Sequence, residues 1–503
     1  MKTFSLVLLS CFAVQIGSTL ELSKLSTLKL GAFDEGAAEM IDYDPVTKNV
    51  FSINGENKTV AVIDISDPTD IKLQNELNIA DYGKSPTCVA VKNGLVAVTI
   101  RAEDKQAPGQ VVFFKTDGEI VSAMTTGALP DNVIFSPDGK YCIIANEGEP
   151  SDDYTNDPEG SVTIVEIGNG MPKEAVVAGF SNIEGGEGVR VFGPNASLAQ
   201  DLEPEFAAVS GDSKTAFVIC QENNALAIVD LPTCTVKAVK SLGTKDHSKE
   251  GNGFDASNKT DAADIRTWPV KGLYLPDAIL SYDVGGKGYL ITANEGDARD
   301  YESYSEETRV EDLKLDPDKF PNAAELQDEK MLGRLKTTTT LGDTDGDGDV
   351  DEIYSFGARS FSIWDEEGNL VYDSGDEFEQ ILSKELGEGF NSTNDEQPSF
   401  KDRSDDKGPE PEALALGVVD GKTYAFIGLE RCGGILVYDV TDPAAPTYQT
   451  FYAGRDFTKP IEEAGDLGPE DLEFIPASDS PNGMNLLISG NEVSGTVTVL
   501  EVK

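Results

Sequence analysis

The sequence predicts an all-β chain folded as a β-propeller, best fitted by seven blades, closed by its N-terminal strand and carrying long loop insertions. Three observations predict it. One hydrophobic alternation, usually ending in an acid, returns seven times: TVAVIDI (59–65), QVVFFKT (110–116), SVTIVEI (161–167), ALAIVDL (225–231), SFSIWDE (360–366), GILVYDV (434–440) and TVTVLEV (496–502). Period-2 alternation marks a strand with one buried face, and repetition of one strand marks a repeat architecture. Each copy sits in a longer unit of four strands, the composition of a propeller blade. Finally, one extra strand-like stretch, 22–30, precedes the first unit. Pairing it with the last unit removes an exposed sheet edge.

The blades fall at 37–80, 85–128, 130–178, 204–242, 275–376, 410–455 and 468–503. The third shows the plan. Pro130-Asp131 opens a first strand, NVIFS. Pro137-Asp138-Gly139 supplies the turn, YCIIA the second strand, Asn146-Glu147 the polar loop, and SVTIVEI the third strand. The second blade fits least well, and six or eight blades stay open. Insertions at 179–203, 243–274 and 299–355 are rich in Gly, Asp, Asn and Lys and read as surface loops. The stretch 388–409 reads as a polar linker. Residues 21–503 thus form one propeller domain.

Residues 1–20 (MKTFSLVLLSCFAVQIGSTL) read as a secretory signal peptide: one Lys, an apolar run, then small residues, with cleavage near Gly17 or Ser18. No other segment reaches the length of a membrane span, and no C-terminal glycolipid-anchor signal is expected. The expected location is secreted and extracellular. Sequons at Asn57, Asn195, Asn258 and Asn391 are glycosylation candidates. Beyond Cys11, the cysteines are Cys88, Cys142, Cys220, Cys234 and Cys432, an odd number with no CxxC. The first three lie in strand patterns and read as buried thiols; Cys432 follows Glu430-Arg431 and is incidental or an exposed thiol near the site.

With 90 acids against 40 Lys and Arg, the net charge is −50. Such a surface repels nucleic acid and attracts cations. The expected partners are calcium or mineral and extracellular matrix proteins. In a propeller, the start of the first strand and the end of the second meet at one mouth of the central channel. Glu39, Asp131, Glu205, Asp277, Glu412 and Asp471 fall at the first position, with Thr87 in blade two; Glu147, Asn294 and Glu295 are among those at the second. Converging carboxylates and amides are hard oxygen ligands for Ca²⁺, or another divalent metal. The bland alternative is capping of neighbouring backbone N–H groups. Arg299, Arg359 and Arg431 are candidates to hold an anion.

A second candidate is local. In DTDGDGDVDE, Asp343, Asp345, Asp347, Asp349 and Asp351 take positions 1, 3, 5, 7 and 9 of a calcium loop, with Gly348 at the sharp turn. Tyr354 replaces the usual bidentate Glu at position 12, so the motif departs from a full EF-hand.

Some chemistries are excluded. The single histidine, His247, lies in a polar insertion and reads as solvated, so multi-histidine zinc sites and HExxH are out and a His-based triad is implausible. No GxSxG occurs. Gly421-Lys422-Thr423 imitates a P-loop end, but Leu416 stands where its first Gly is required, and Asp420-Gly421 reads as a hairpin turn.

Taken together, LPDAILSY (275–282), ANEGDARDY (293–301), ANEGEPSDDY (145–154), GARSFSIWD (357–365) and GPEDLEF (468–474) resemble the mesenchyme-specific cell-surface glycoprotein family of biomineralising animals. Its bacterial relatives carry choice-of-anchor I domains, some labelled alkaline-phosphatase-like. The resemblance covers about 25–502. It implies a secreted or surface glycoprotein with a propeller fold, associated in animals with calcified skeletons. The matching residues are Asn146, Glu147, Asp277, Asn294, Glu295, Asp297, Arg299, Arg359 and Glu470; no catalytic role comes with them. The expectation is therefore a secreted, acidic, calcium-binding matrix glycoprotein, non-enzymatic and associated with biomineralisation. The alternatives are a metal-dependent phosphoester hydrolase, alkaline-phosphatase-like or phytase-like, acting at the channel mouth, and a protein-binding propeller.

Overall fold

The structure, a computed structural model, describes residues 20–503. The signal-peptide expectation lies outside these residues apart from Leu20, which is buried against Ala413, Tyr424 and Leu487 and so belongs to the fold.

Seven four-stranded antiparallel sheets form the frame. Their innermost strands are Ala37–Asp44, Ser85–Lys92, Pro130–Phe135, Pro204–Val209, Ile279–Val284, Pro411–Val419 and Pro469–Ile475. Each lies against the innermost strand of the next sheet, and the last returns to the first. The fold is a β-propeller. Leu22–Lys29 pairs antiparallel with Thr496–Val502, from Leu22↔Val502 to Lys29↔Thr496, and completes the last blade as its outermost strand.

The seven repeated phrases are the third strands of their blades. They differ from the expectation in one respect: both faces are buried. In Thr59–Asp64 the residues Val60 to Ile63 are all within 2% of full burial. The alternation sorts side chains between two neighbours instead of between core and water. Val60 and Val62 pack toward blade two with Val96 and Val98, while Ala61 and Ile63 pack toward blade seven with Leu486 and Ile488. One such apolar cluster fills each interface between consecutive blades. Asp420 (φ 52°) and Gly421 (φ 80°) form the two-residue hairpin turn expected of that dipeptide, between the paired Val419 and Lys422.

Two of the three insertions are not loose surface loops. Parts of 243–274 and 299–355 build a mixed five-stranded sheet (Thr244–Asp246, Val270–Leu273, Ile353–Ser355, Lys336–Thr338, Glu307–Arg309) over its own core of Phe254, Trp268, Leu315, Phe320, Leu332 and Leu335. His247 is part of this layer, not solvated. It is buried, its Nδ1 lies 2.7 Å from the Asn252 carbonyl oxygen, and burial beside Lys245 pushes its pKa down to about 3. The 388–409 stretch is a packed strap. Lys401 is fully buried and ion-paired with Asp255 at 2.8 Å, and Ser404 and Asp405 are buried with it.

Candidate metal centre in the channel mouth

In six blades the ladder between first and second strands breaks register just after the opening Pro or Ala, as at Pro130/Val133, Pro204/Ala207 and Pro411/Leu414. Such a bulge takes a residue out of the ladder and re-aims its side chain. The residue after the Pro is Thr87, Asp131, Glu205, Glu412 and Glu470 in five of these blades; in blade one Glu39 stands two residues after the paired Ala37, and in blade five Asp277 follows Pro276. A second tier follows the ladder partner on strand two: Gly55, Arg101, Glu147, Gln221, Glu295, Glu430 and Glu492. All fourteen positions line one cavity of about 650 Å³.

Of the residues expected at the mouth, Glu39, Asp131, Glu147, Glu205, Asp277, Glu295 and Glu412 are brought together there. Asn294 is not. Its amide donates to the Ser360 and Ser362 hydroxyls at 3.2 and 2.9 Å and ties strand two to strand three, as Asn146 does with Thr163 at 3.0 Å. Asp471 touches the cavity, but its carboxylate accepts from the N–H groups of Ile41 (3.0 Å) and Leu472 (2.8 Å); Glu470 holds the ring position of blade seven. Alignment on the Pro of each unit identifies that register. Sequence reasoning also missed Arg101 and Lys105 as lining residues.

The ten carboxylates of these two tiers are costly to ionise together. Burial, then the neighbours Glu492 and Asp131, push Glu39 up to about 8. Burial pushes Asp131 up to about 7 and holds Glu147, Glu205, Asp277, Glu412, Glu430 and Glu470 well above the usual carboxylate range, with adjacent acids adding to each of these six. Asp277, Glu295 and Glu412 each place one carboxylate oxygen within 4.8 Å of the others. The Oε2 atoms of Glu205, Glu412 and Glu430 are buried without a hydrogen-bond partner. Hard oxygen donors, mutually close and partly orphaned, fit a divalent cation. Gln221 steadies Glu295 from below, donating to its Oε2 at 2.7 Å.

A neighbouring acid group, Glu295, Glu410 and Glu430, already has internal cations. Glu410 is buried, which alone would raise it, yet Arg403, Lys407 and Arg431 hold it down to about 2. Arg403 Nε and Arg431 Nε donate to it at 2.6 and 3.0 Å. Lys407, from the strap, reaches Asp297 at 2.5 Å.

The expected anion-binding arginines are corrected by this geometry. Arg299 is buried against Asp201 (2.6 Å) and Glu203 (3.0 Å). Arg359 donates to Glu379 at 2.8 Å and to the carbonyls of Asp255, Ser404 and Asp406. Neither lines the cavity, and both are spent on internal acceptors. Arg431 lines it but is paired with Glu410 and Glu430. Cys432 is fully buried, and burial pushes its thiol up to about 12, so it is no exposed nucleophile.

The five-aspartate motif divides in two. Asp343, Asp345 and Asp347 form an exposed group, while Asp349 and Asp351 turn toward Asp316. The bridge Leu315↔Val350 causes the split, and Asp349 also meets Lys314 at 3.4 Å. Asp343 caps the backbone N–H groups of Gly346 (2.7 Å) and Gly348 (3.0 Å). Among the sequons, Asn57 and Asn195 are exposed and Asn258 is half-buried. Asn391 is fully buried, its amide directed at Glu379 and Ser404, which leaves no room for a glycan there.

The choice-of-anchor I domain family model matches residues 39–443. Gigasin-3a of Magallana gigas is 31% identical over 191 residues, covering 35% of this chain and 67% of that protein. The mesenchyme-specific cell surface glycoprotein of Strongylocentrotus purpuratus is 27% identical over 295 residues, 52% of this chain; the match spans 38% of that protein's length. Solved structures of similar outline include streptogramin B lyase, with a TM-score of 0.47 and 9% identity over 96% of this chain and 98% of that one. Another is the WD40 domain of Toxoplasma gondii coronin, at 0.46 and 10% over 96% and 86%. Among the described residues no helix is long and apolar enough to cross a membrane. The LPDAILSY and ANEG phrases lie within the matched residues 39–443, which are most of the chain, and the chain belongs to the choice-of-anchor I domain family.

Proposed function

We propose that this chain is an extracellular glycoprotein that binds Ca²⁺ in the mouth of its propeller channel and presents it within an extracellular matrix, at mineral in particular. The observation that carries the reading is the group Asp277, Glu295 and Glu412, the first half-buried and the other two buried, mutually close and with the Glu412 Oε2 lacking a partner. A cation there would replace protons the acids otherwise retain, and its charge would offset their repulsion. The exposed group Asp343, Asp345 and Asp347 is a second, weaker cation site in the same reading. The sea-urchin relative's name, a cell surface glycoprotein, supports the extracellular setting.

The test is thermal unfolding with and without chelator. A ligand held only by the folded state adds about 2.7 kcal/mol at a hundredfold excess over Kd. The expected result is a melting temperature several degrees lower after chelation, restored by Ca²⁺. An unchanged melting curve would remove the structural-calcium claim. The hydrolase alternative needs the same metal and a grip on phosphate, and it loses Arg299 and Arg359, which are committed to internal carboxylates.

A further inference from the structure

The first tier of acids in the mouth is interrupted in blade two alone. In blade two the first-tier position is Thr87, whose hydroxyl turns away to the Pro130 carbonyl at 2.6 Å. The second tier there is Arg101, and in blade one beside it is Gly55, which has no side chain to fill the space. Every other cation lining the cavity has an acid of its own: Arg431 holds Glu410 and Glu430, and Lys105 holds Glu149. Arg101 makes no ion pair among the described residues. Its Nε donates to Ser85 Oγ at 2.7 Å, and among the described residues its terminal nitrogens have no protein acceptor, although Glu39 is near enough to feel its charge. Blade two stands three blades from both blade five and blade six, so Arg101 faces Asp277, Glu295 and Glu412 across the ring.

A guanidinium presents a rigid fork of donors that matches the two oxygens of a phosphate or carboxylate. Any of the cavity's acids that is ionised repels an anion, and a cation bound on the opposite wall offsets that repulsion. A bound cation therefore favours the anion.

Resting on the cation site proposed above, we propose that Arg101 is the anion-binding residue of the cavity. It takes the oxyanion of a small ligand, phosphate or carboxylate, admitted once Ca²⁺ occupies the opposite wall. The two events are then coupled, and each ligand raises the affinity of the other by the same factor.

The experiment is calorimetric titration of the full chain with inorganic phosphate and, separately, acetate, below the precipitation limit of calcium phosphate, in Ca²⁺ and in chelator. One anion per chain is expected in Ca²⁺, at least about tenfold weaker in chelator, and the stronger of the two probes identifies the oxyanion class. Arg101→Gln should abolish anion binding while leaving Ca²⁺ affinity equal or higher, because a repelling charge is gone. Arg101→Lys, which keeps the charge but not the fork, should bind the anion about tenfold more weakly. Ca²⁺ binding with no anion heat from either probe, or an R101Q protein that binds anion like the parent, overturns the role of Arg101 and leaves the cation site standing. Absence of Ca²⁺ binding overturns both.

Discussion

Asp277 and Glu412, from neighbouring blades five and six, bring carboxylate oxygens within 4.8 Å of one another and of Glu295, in a cavity whose acids burial and mutual repulsion already hold toward the protonated state. The pair exists because the bulged strand start of blade six meets, at the ring's inner edge, the residue that follows Pro276 just ahead of the first strand of blade five. Its cost to the metal-free protein has a definite sign.

Metal-free protein should lose stability as pH rises. Glu39 moves from 4.5 to about 8 on folding and Asp131 from 3.8 to about 7. A raised carboxyl binds more protons folded than unfolded between those values, so unfolding free energy falls with pH across that window. In chelator, the melting temperature should decline from about pH 5 to about pH 8, and Ca²⁺ should flatten the decline. A chelated protein that gains stability over the same range contradicts the electrostatic account.

Arg359 should behave as a structural residue. It and Glu379 are buried together, at 4% and 0% side-chain exposure. Removing one member leaves the other an uncompensated buried charge, which costs about 3–5 kcal/mol. Arg359→Leu should therefore lower the denaturation midpoint strongly, and Arg359→Leu with Glu379→Leu should recover part of the loss. Loss of ligand binding without loss of stability would return Arg359 to the site.

Glycan occupancy should follow exposure. Asn57 and Asn195 should carry glycans in protein from a eukaryotic secretory host, and Asn391 should not, because its side chain is fully buried between Glu379 and Ser404. Peptide mapping with and without glycosidase reads this directly. A glycan on Asn391 would mean the strap packs differently.

The frame was legible because a propeller repeats one local pattern, and the seven third strands carry it from Thr59 to Val502. The mouth was legible to the extent that it follows the same repeat: Asp131, Glu205, Asp277 and Glu412 are set by the Pro before them. What failed depended on details the pattern does not encode. Alternation points to Asp471 rather than Glu470 because the bulge that aims one residue rather than the next is invisible in it. Asn294 adjoins Glu295 in sequence but faces the third strand, a direction that adjacency does not reveal. Arg299 and Arg359 adjoin motif residues but meet acids distant in sequence, Asp201 and Glu379. His247 and the 243–274 insertion looked solvated because their apolar partners, Phe320, Leu332 and Leu335, lie in a different insertion. The five aspartates looked like one loop because Asp316, which draws Asp349 and Asp351 away, arrives through a long-range bridge.

The central claim is that the cavity, not the general acidity of the surface, holds the cation. A calorimetric Ca²⁺ titration of chelator-stripped protein, run beside Asp277→Asn and Asp345→Ala, tests it most directly. The account predicts a saturable site of the parent that is lost in D277N and kept in D345A, with a binding heat that varies with the ionisation enthalpy of the buffer because protons are released. Uptake that is weak, salt-sensitive and equal in all three proteins, or a site lost only in D345A, would contradict it.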